Sequence, residues 1–319
     1  MKKLIVLMSL AFIIASCSDD DENNGMDSPY LISPRMEMSV NNTDGQSPLT
    51  GILTVVPCNA NSSIYYGNYV RGKLSPFYGF YQVKDGTFYN DAINREISLP
   101  TGTYNMIFWG TPKYQEPIYA SPAVHEAAHS IGIDMSKQSI SLFQIPSDTV
   151  YYPVYDLVYA MQPIKIGSEN LKASLKRVVA GLKVILKDKD NAVLSSSIAS
   201  VSVRVTNIYS ELNYFTGEPQ GKPRTIAFPL VRSIDGTQMS NNTVMLFPSA
   251  GKPEFQLTIM LKNGNVKTFK QTMSAPLNAN TKLTLTLSLG DIFSEESSGD
   301  FTVDNWNEEN EDIDVPIIE

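Results

Sequence analysis

Leu283-Thr284-Leu285-Thr286-Leu287-Ser288-Leu289 alternates apolar and hydroxyl side chains and ends at Gly290. Successive side chains of a strand point to opposite faces, so this stretch reads as a half-buried strand with one wet face. The same alternation runs upstream through Leu257, Ile259 and Leu261 into Asn263-Gly264, a hairpin signal. It recurs at Val201, Val203 and Val205, and at Leu182, Val184 and Leu186 before a turn over Asp188 to Asn191. Toward the N-terminus Ile52 to Val56 is a β-rich run, Ser63 to Tyr66 and Phe77 to Val83 are aromatic-rich runs of strand length, and Tyr104 to Trp109 follows the turn Thr101-Gly102-Thr103 as a further strand. Ser139 to Phe143 and Val150 to Tyr159 add more, with Pro153 demoting part of the latter to an edge or bulge. Leu171 to Ala180 is open between a short helix and an extended entry to the next strand. Short strands with turns between them and few helical candidates predict an all-β chain of β-sandwiches. A length of 319 residues allows two domains. A break at Gly167 to Asn170 sets the expected division into an N-terminal domain 41–166, a C-terminal domain 167–305 and an acidic tail 306–319.

Hydrophobic residues make up 42% and charged residues 18%, enough to bury a core, and the net charge is −8. An acidic chain without a basic stripe argues against nucleic acid as a partner. It also argues against adhesion to anionic lipid by charge.

The first residues are organised differently. Lys2 and Lys3 precede an apolar run from Leu4 to Ile14, followed by Ala15, Ser16 and Cys17, and then by Ser18-Asp19-Asp20-Asp21-Glu22. A basic start, a short apolar core and small residues before a cut site describe a secretory signal over 1–16, too short to span a membrane. Cys17 directly after Ile14-Ala15-Ser16 makes it resemble a bacterial lipoprotein signal, in which the cysteine is lipidated and becomes the new N-terminus. Acyl chains such as palmitate contribute about 0.8 kcal/mol per buried CH2 and together anchor stably. The stretch 17–40 is then an acidic tether passing into a first strand. The acidic run also resembles the signal that sends some lipoproteins of Bacteroides-like bacteria to the outer face of the outer membrane. Within the tether, Pro34 keeps its neighbourhood extended and places Arg35 in an exposed segment, a candidate protease-processing position set against a plain solvated charge. With Cys17 lipidated, Cys58 has no disulfide partner and reads as a small buried side chain at a strand end.

One motif looks catalytic. His125-Glu126-Ala127-Ala128-His129 matches H-E-x-x-H, in which a helix presents two zinc-binding imidazoles on one face and the Glu serves as general base. Ser121 offers a helix cap, Pro122 a first helical position and Gly132 a stop. The extended pattern fails at its third ligand, where Met135 stands, and Asp134 is one residue out of register. Glu169 is a remote carboxylate alternative. These are the only histidines, so we expect no tightly held zinc and no cofactor. Tyr65, Tyr66, Phe77, Tyr78, Phe80 and Tyr81 offer a sugar-binding face, set against ordinary core and cross-strand packing. Asp148-Thr149-Val150 resembles a short O-glycosylation signal of Bacteroides-like envelope proteins.

Taken together, the chain resembles the fimbrillin and fimbrial-anchor lipoproteins of Bacteroides-like bacteria, the type V pilus proteins, from Cys17 to Trp306. The carriers are the lipobox, Leu99-Pro100-Thr101-Gly102-Thr103-Tyr104 with Trp109-Gly110, and Pro153-Val154-Tyr155-Asp156-Leu157-Val158-Tyr159-Ala160. In the second half they are Leu175-Lys176-Arg177-Val178-Val179-Ala180-Gly181-Leu182, Leu277-Asn278-Ala279-Asn280, and Phe301-Thr302-Val303 before Trp306. The resemblance implies two tandem transthyretin-like sandwiches and assembly by strand exchange. In shaft subunits of the family an N-terminal strand is removed by a protease and a neighbour's C-terminal strand fills the groove. An anchor keeps its lipid, and with it a filled groove, and only donates. Val315, Ile317 and Ile318, after the acidic spacer Glu308 to Asp314, offer a donor strand, although Pro316 counts against a full-length one.

Three readings follow. The first is a lipid-anchored, non-enzymatic fimbrial component, anchor or accessory subunit, at the outer membrane with other fimbrial subunits as partners. The second is a surface lipoprotein that binds a glycan or host ligand through aromatic side chains. The third is a zinc metalloprotease built on His125, Glu126 and His129.

Overall fold

The computed structural model describes residues 29–42, 45–76, 80–89, 96–112, 124–167, 170–188 and 190–289, with the backbone of Asp300–Val303 and Glu308–Asp314. Its regular elements are strands, apart from one 3-10 turn at Met135–Lys137. The all-β sandwich architecture expected from the alternation is what the chain adopts.

The first half is built on an eight-stranded sheet. Its order is Gly45–Pro48, Met36–Asn42, Leu171–Arg177, Val158–Ile166, Gly102–Pro112, Gly51–Asn59, Tyr81–Lys84 and Thr87–Phe88. The central strands are buried on both faces. Leu53 and Val55, with Met106 and Phe108, pack into the core of the first half. Their neighbours Val56 and Cys58, with Ile107 and Trp109, pack into the core that continues through the second half. Burial on two faces is why Gly51–Asn59 and Gly102–Pro112 read as near-continuous apolar runs while the later strands alternate.

The second half carries a ten-stranded array. Val266–Thr272, Glu254–Leu261, Ile198–Ile208 and Arg224–Arg232 lie side by side, followed by Gln238–Ser240, Ala180–Lys187, Lys282–Ser288, Glu308–Asp314 and Asp300–Val303. Val244–Leu246 pairs with the beginning of Ala180–Lys187. Buried Asn241 fills the gap between the two short partners of that strand: its Oδ1 accepts from Val184 N at 2.7 Å and its Nδ2 donates to Leu182 O at 3.0 Å.

The strand pairings add three particulars to the sequence reading. Leu171 to Arg177 is a strand, and it belongs to the first sheet, where Leu171, Ala173 and Leu175 point into the first core. The chain therefore turns at Gly167, returns through the first sheet, and leaves it only at Val178-Val179, a strand later than the division drawn at Ile166. Glu308 to Asp314, expected as a solvated spacer, runs parallel to Lys282–Ser288 from Glu308 opposite Lys282 to Asp314 opposite Ser288. The halves are also more than tandem. Ser139–Leu142 of the first half pairs with Glu211–Asn213 of the second in a small four-stranded sheet. Tyr151 N donates to Thr225 O at 2.9 Å and Val154 N to Met245 O at 2.8 Å.

Candidate functional site

The strand Met36–Asn42 begins inside the stretch 17–40 expected as a tether and is already part of the first sheet. It pairs in parallel with Leu171–Leu175, starting with Met36 opposite Leu171. On its other side it pairs with Gly45–Pro48, and Met38 bonds through its N–H to Gly86 O at 2.8 Å and through its carbonyl to Leu49 N at 3.0 Å. Met36, Met38 and Val40 are buried, as alternate residues of a seated strand must be. Gly86 closes the site against the strand: a Cβ there would lie 2.9 Å from the Met38 carbonyl, and its φ of +80° is one that glycine adopts freely. Arg35 is exposed, with its carbonyl accepting from Leu171 N at 2.8 Å, immediately before the seated strand. Among the described residues the only strand before it is Leu31–Ile32, paired with Leu99–Pro100.

A cleft of about 590 Å3 lies over this pairing. Its polar walls bond mainly to each other: Gln46 Nε2 to Ser174 Oγ at 3.0 Å, Ser174 Oγ to Asn41 Oδ1 at 2.7 Å, and Lys172 Nζ to Glu37 Oε2 at 2.7 Å.

The zinc-like motif takes a different form from the one its chemistry needs. Val124–His125 is a two-residue strand paired with Leu142 and Ser141, and Glu126 to Ser130 is irregular. Val124 and Ala127 are buried and fix the segment to the strand layer. A helix would bring His125 and His129 onto one face, whereas here no helix forms over the motif and the two rings have different partners. His125 packs its ring on Phe143 at 4.7 Å, and His129 Nε2 lies 2.8 Å from the Tyr214 hydroxyl. Met135, at the third ligand position, is fully buried core. Among the described residues no group of three or more His, Cys, Asp or Glu is placed to hold a metal ion. Ser121, Pro122 and Glu169 lie outside the described residues.

His129 instead belongs to a junction between the halves. Trp109 Nε1 donates to Tyr214 O at 3.0 Å, and the Trp109 ring lies 4.8 Å from that of Tyr159 and 5.5 Å from that of Tyr214. The Tyr159 hydroxyl donates to the Phe215 carbonyl. Gly217 makes room for that ring, since a Cβ there would sit 2.5 Å from Tyr159 Cδ1. Burial pushes the Tyr214 hydroxyl well above the usual phenol range and holds His129 below the usual imidazole range. Burial, with the Asp134 carboxylate adding to it, pushes the Cys58 thiol up to about 12, so this cysteine is an inert core side chain. Asp134 is itself held down at about 2 by hydrogen bonds from the Ser63 and then the Ser136 hydroxyl. Nearby, Arg177 clasps Asp156 with Nε to Oδ1 at 2.8 Å and Nη2 to Oδ2 at 2.9 Å. Nothing in the spacing of Arg177 and Asp156 announces this pair; only the return of Leu171–Arg177 through the first sheet brings them together.

Of the aromatic side chains set out as a sugar-binding face, Tyr65, Tyr66 and Tyr81 are engaged in packing. Tyr65 is buried in the core shared by the halves, and Tyr81 is buried in the other core with its ring stacked on Phe88 at 4.4 Å. Tyr66 meets Tyr104 edge to face at 5.2 Å. Alternate aromatic side chains of strands at a junction have apolar neighbours on both faces, and packing claims them. Thr149 is exposed in a turn. Cys17, Phe77, Tyr78, Val315, Ile317 and Ile318 lie outside the described residues.

These features define an all-β protein organised around strand pairing and a double-faced core. The chain belongs to the family of fimbrillin-A associated anchor proteins Mfa1 and Mfa2, whose family model matches residues 19–312. Membership implies a fimbrial or adhesive role, association with other fimbrial subunits, and a location at the cell surface or outer membrane. Similar solved structures include the fimbrial anchor protein Mfa2 from Porphyromonas gingivalis, at 14% identity and TM-score 0.43, covering 75% of this chain and 82% of that one. A candidate adhesin from Bacteroides ovatus matches at 11% identity and TM-score 0.47, covering 76% and 83%. A candidate cell adhesion protein from Bacteroides ovatus matches at 13% identity and TM-score 0.44, covering 90% and 98%. No curated protein matches in sequence. Among the described residues no helix is long and apolar enough to cross a membrane.

Proposed function

We propose that this protein is a lipid-anchored, non-enzymatic fimbrial component, an anchor or accessory subunit, held at the outer membrane through Cys17 and joined to other fimbrial subunits by strand exchange. The observation that carries the reading is the strand Met36–Asn42. It sits beside Leu171–Leu175 with its own alternate side chains buried, so the subunit fills its own groove. A subunit filled in this way has no vacancy to receive a neighbour's strand there and joins its partner by giving one. The segment available to give is 315–319, with Val315, Ile317 and Ile318 as its apolar side chains.

Attachment is tested at Cys17. Acyl chains are the only membrane contact this reading supplies, so Cys17→Ala should move the protein from membrane fractions into the soluble fraction. The mature wild-type N-terminus, read by mass spectrometry, should be lipidated Cys17. Full retention of Cys17→Ala in the outer membrane after a salt wash would remove the lipid anchor.

A further inference from the structure

Of the eleven large apolar side chains exposed among the described residues, five lie at one end of the second sandwich: Val193, Val231, Ile234, Met260 and Val266. The strand registers bring them together. Ser200 is opposite Met260 and Met260 opposite Val266, so these two side chains share a face at the start of Ile198–Ile208. Arg232 is opposite Met239, and Gln238 is opposite Lys187, which brings the 233–237 turn to the same end. The connecting loops are bound to one another: Leu194 N donates to Gly236 O at 3.0 Å, Lys262 N to Ser197 O at 2.8 Å, and the Arg232 guanidinium to the Leu194 and Ser195 carbonyls, each at 3.0 Å.

Ile234 is fully exposed at 109% of its reference area. Its turn is braced from within, by Ser233 Oγ to Asp235 Oδ1 at 2.6 Å and Thr237 N to Asp235 Oδ1 at 3.2 Å. A rigid turn that holds a large apolar side chain in water is pre-organised for a contact, since little ordering remains to be done when the contact forms. Clustered exposed apolar side chains mark interaction surfaces, whereas single ones do not.

The course of the chain says what arrives here. Lys187 is opposite Ser288, and Ser288 is opposite Asp314, so the strand Glu308–Asp314 ends at this same end. The tether enters elsewhere, beside Leu171 at the end of the first sheet remote from the crossing at Val178-Val179.

We infer that this apolar end is a docking face for the fimbrial subunit that receives the C-terminal tail. The inference rests on the proposed function and adds a surface to it: the partner's apolar rim packs against Ile234, Val193 and the Met260–Val266 pair while the tail occupies its groove. The tail supplies backbone hydrogen bonds, and the end face supplies the desolvated anchors that make a contact persist.

The test compares cells carrying full-length protein at matched surface levels. The variants are Val193→Ser/Ile234→Asp/Val266→Thr, the single Ile234→Ser, a chain ending at Asp314, and Val70→Ser as an exposed apolar control in the first half. Ile234→Ser removes only solvent-exposed surface and keeps the test valid if the triple variant unfolds. We expect fimbriae shed into the medium to rise at least about tenfold in the triple variant, as loss of a central anchor implies. The single variant should move the same way and Val70→Ser should match wild type. Shedding by the tail-truncated chain but not by the end-face variants overturns the docking face and leaves the proposed function standing. No shedding by any variant overturns both. Two outcomes reassign the surface and so overturn the inference. One is a dimer of purified Cys17→Ala protein that the end-face variants make monomeric. The other is binding of Cys17→Ala protein to phosphatidylethanolamine vesicles that those variants abolish.

Discussion

Tyr214 and His129 show how one contact can settle the meaning of a motif. The Tyr214 hydroxyl is buried and its partner is the His129 imidazole at 2.8 Å, with the Tyr65 ring edge-on at 6.2 Å and Glu126 close enough to act on Tyr214. Burial lowers the His129 pKa below 6.5. The folded chain therefore binds that proton less readily than the unfolded one, and stability rises with pH where the unfolded state holds more protons. The contribution of neutral His129 is complete above about pH 6.5 and is lost as pH falls below it toward the folded-state pKa. Glu126 titrates with the opposite sign. It is exposed over much of its area, yet protein atoms around the carboxyl raise its pKa. The variant comparison separates the two. His129→Gln should flatten the acid side of the melting temperature profile between about pH 6.5 and 5 while the wild type falls. Superimposable profiles would show that His129 carries no such linkage. None of this was legible in the five letters of the motif, because Tyr214 is far away in sequence.

At the scale of elements, Met36–Asn42 is the strand on which the proposed function depends, and its three buried side chains give a magnitude. Burying Met36, Met38 and Val40 contributes about 5–9 kcal/mol, comparable to the whole stability of an ordinary domain at about 5–15 kcal/mol. Leu31–Ile32 is only half-buried. A chain beginning at Met36, as a protease cutting after Arg35 would leave, should fold with a melting temperature within a few degrees of the full chain. A chain beginning after Asn42 should unfold or aggregate. Thermal unfolding of the two purified proteins decides this, and equal loss in both would mean that Leu31–Ile32 matters as much as the strand. On this expectation a cut after Arg35 would remove Leu31–Ile32 and leave Met36–Asn42 seated in the first sheet. The alternation of Met36, Met38 and Val40 is visible in the sequence, but a parallel partner more than a hundred residues away is not.

At the scale of the whole molecule the two halves share packing and hydrogen bonds. A single core runs from Val56, Ile107 and Trp109 through Leu182, Val203 and Leu285. The sheet containing Ser139–Leu142 and Glu211–Asn213 is shared between the halves. Unfolding of the second half would strip Trp109 of Tyr214 and expose the faces of Gly51–Asn59 and Gly102–Pro112 that pack into the shared core. We therefore expect one cooperative transition. In a Trp306→Phe background, Trp109 fluorescence and far-ultraviolet circular dichroism should give the same midpoint in urea. Two separated midpoints would show that the halves unfold independently.

The sequence by itself determined the strand class of this protein, since the alternation at Leu283 to Leu289 has a period of two that a local backbone preference and one wet face are enough to produce. It also determined the thiol chemistry of Cys58, because an apolar run ending in a cysteine predicts a buried one. Tertiary structure decided everything that depends on which strands meet. It buried Gly51–Asn59 and Gly102–Pro112 on both faces, held His125-Glu126-Ala127-Ala128-His129 out of a helix through Val124 and Ala127, and returned Leu171–Arg177 to the first sheet. The physical reason is that hydrogen bonds in a sheet join residues distant in sequence, so local pattern specifies a strand's faces while only the packed molecule chooses its neighbours.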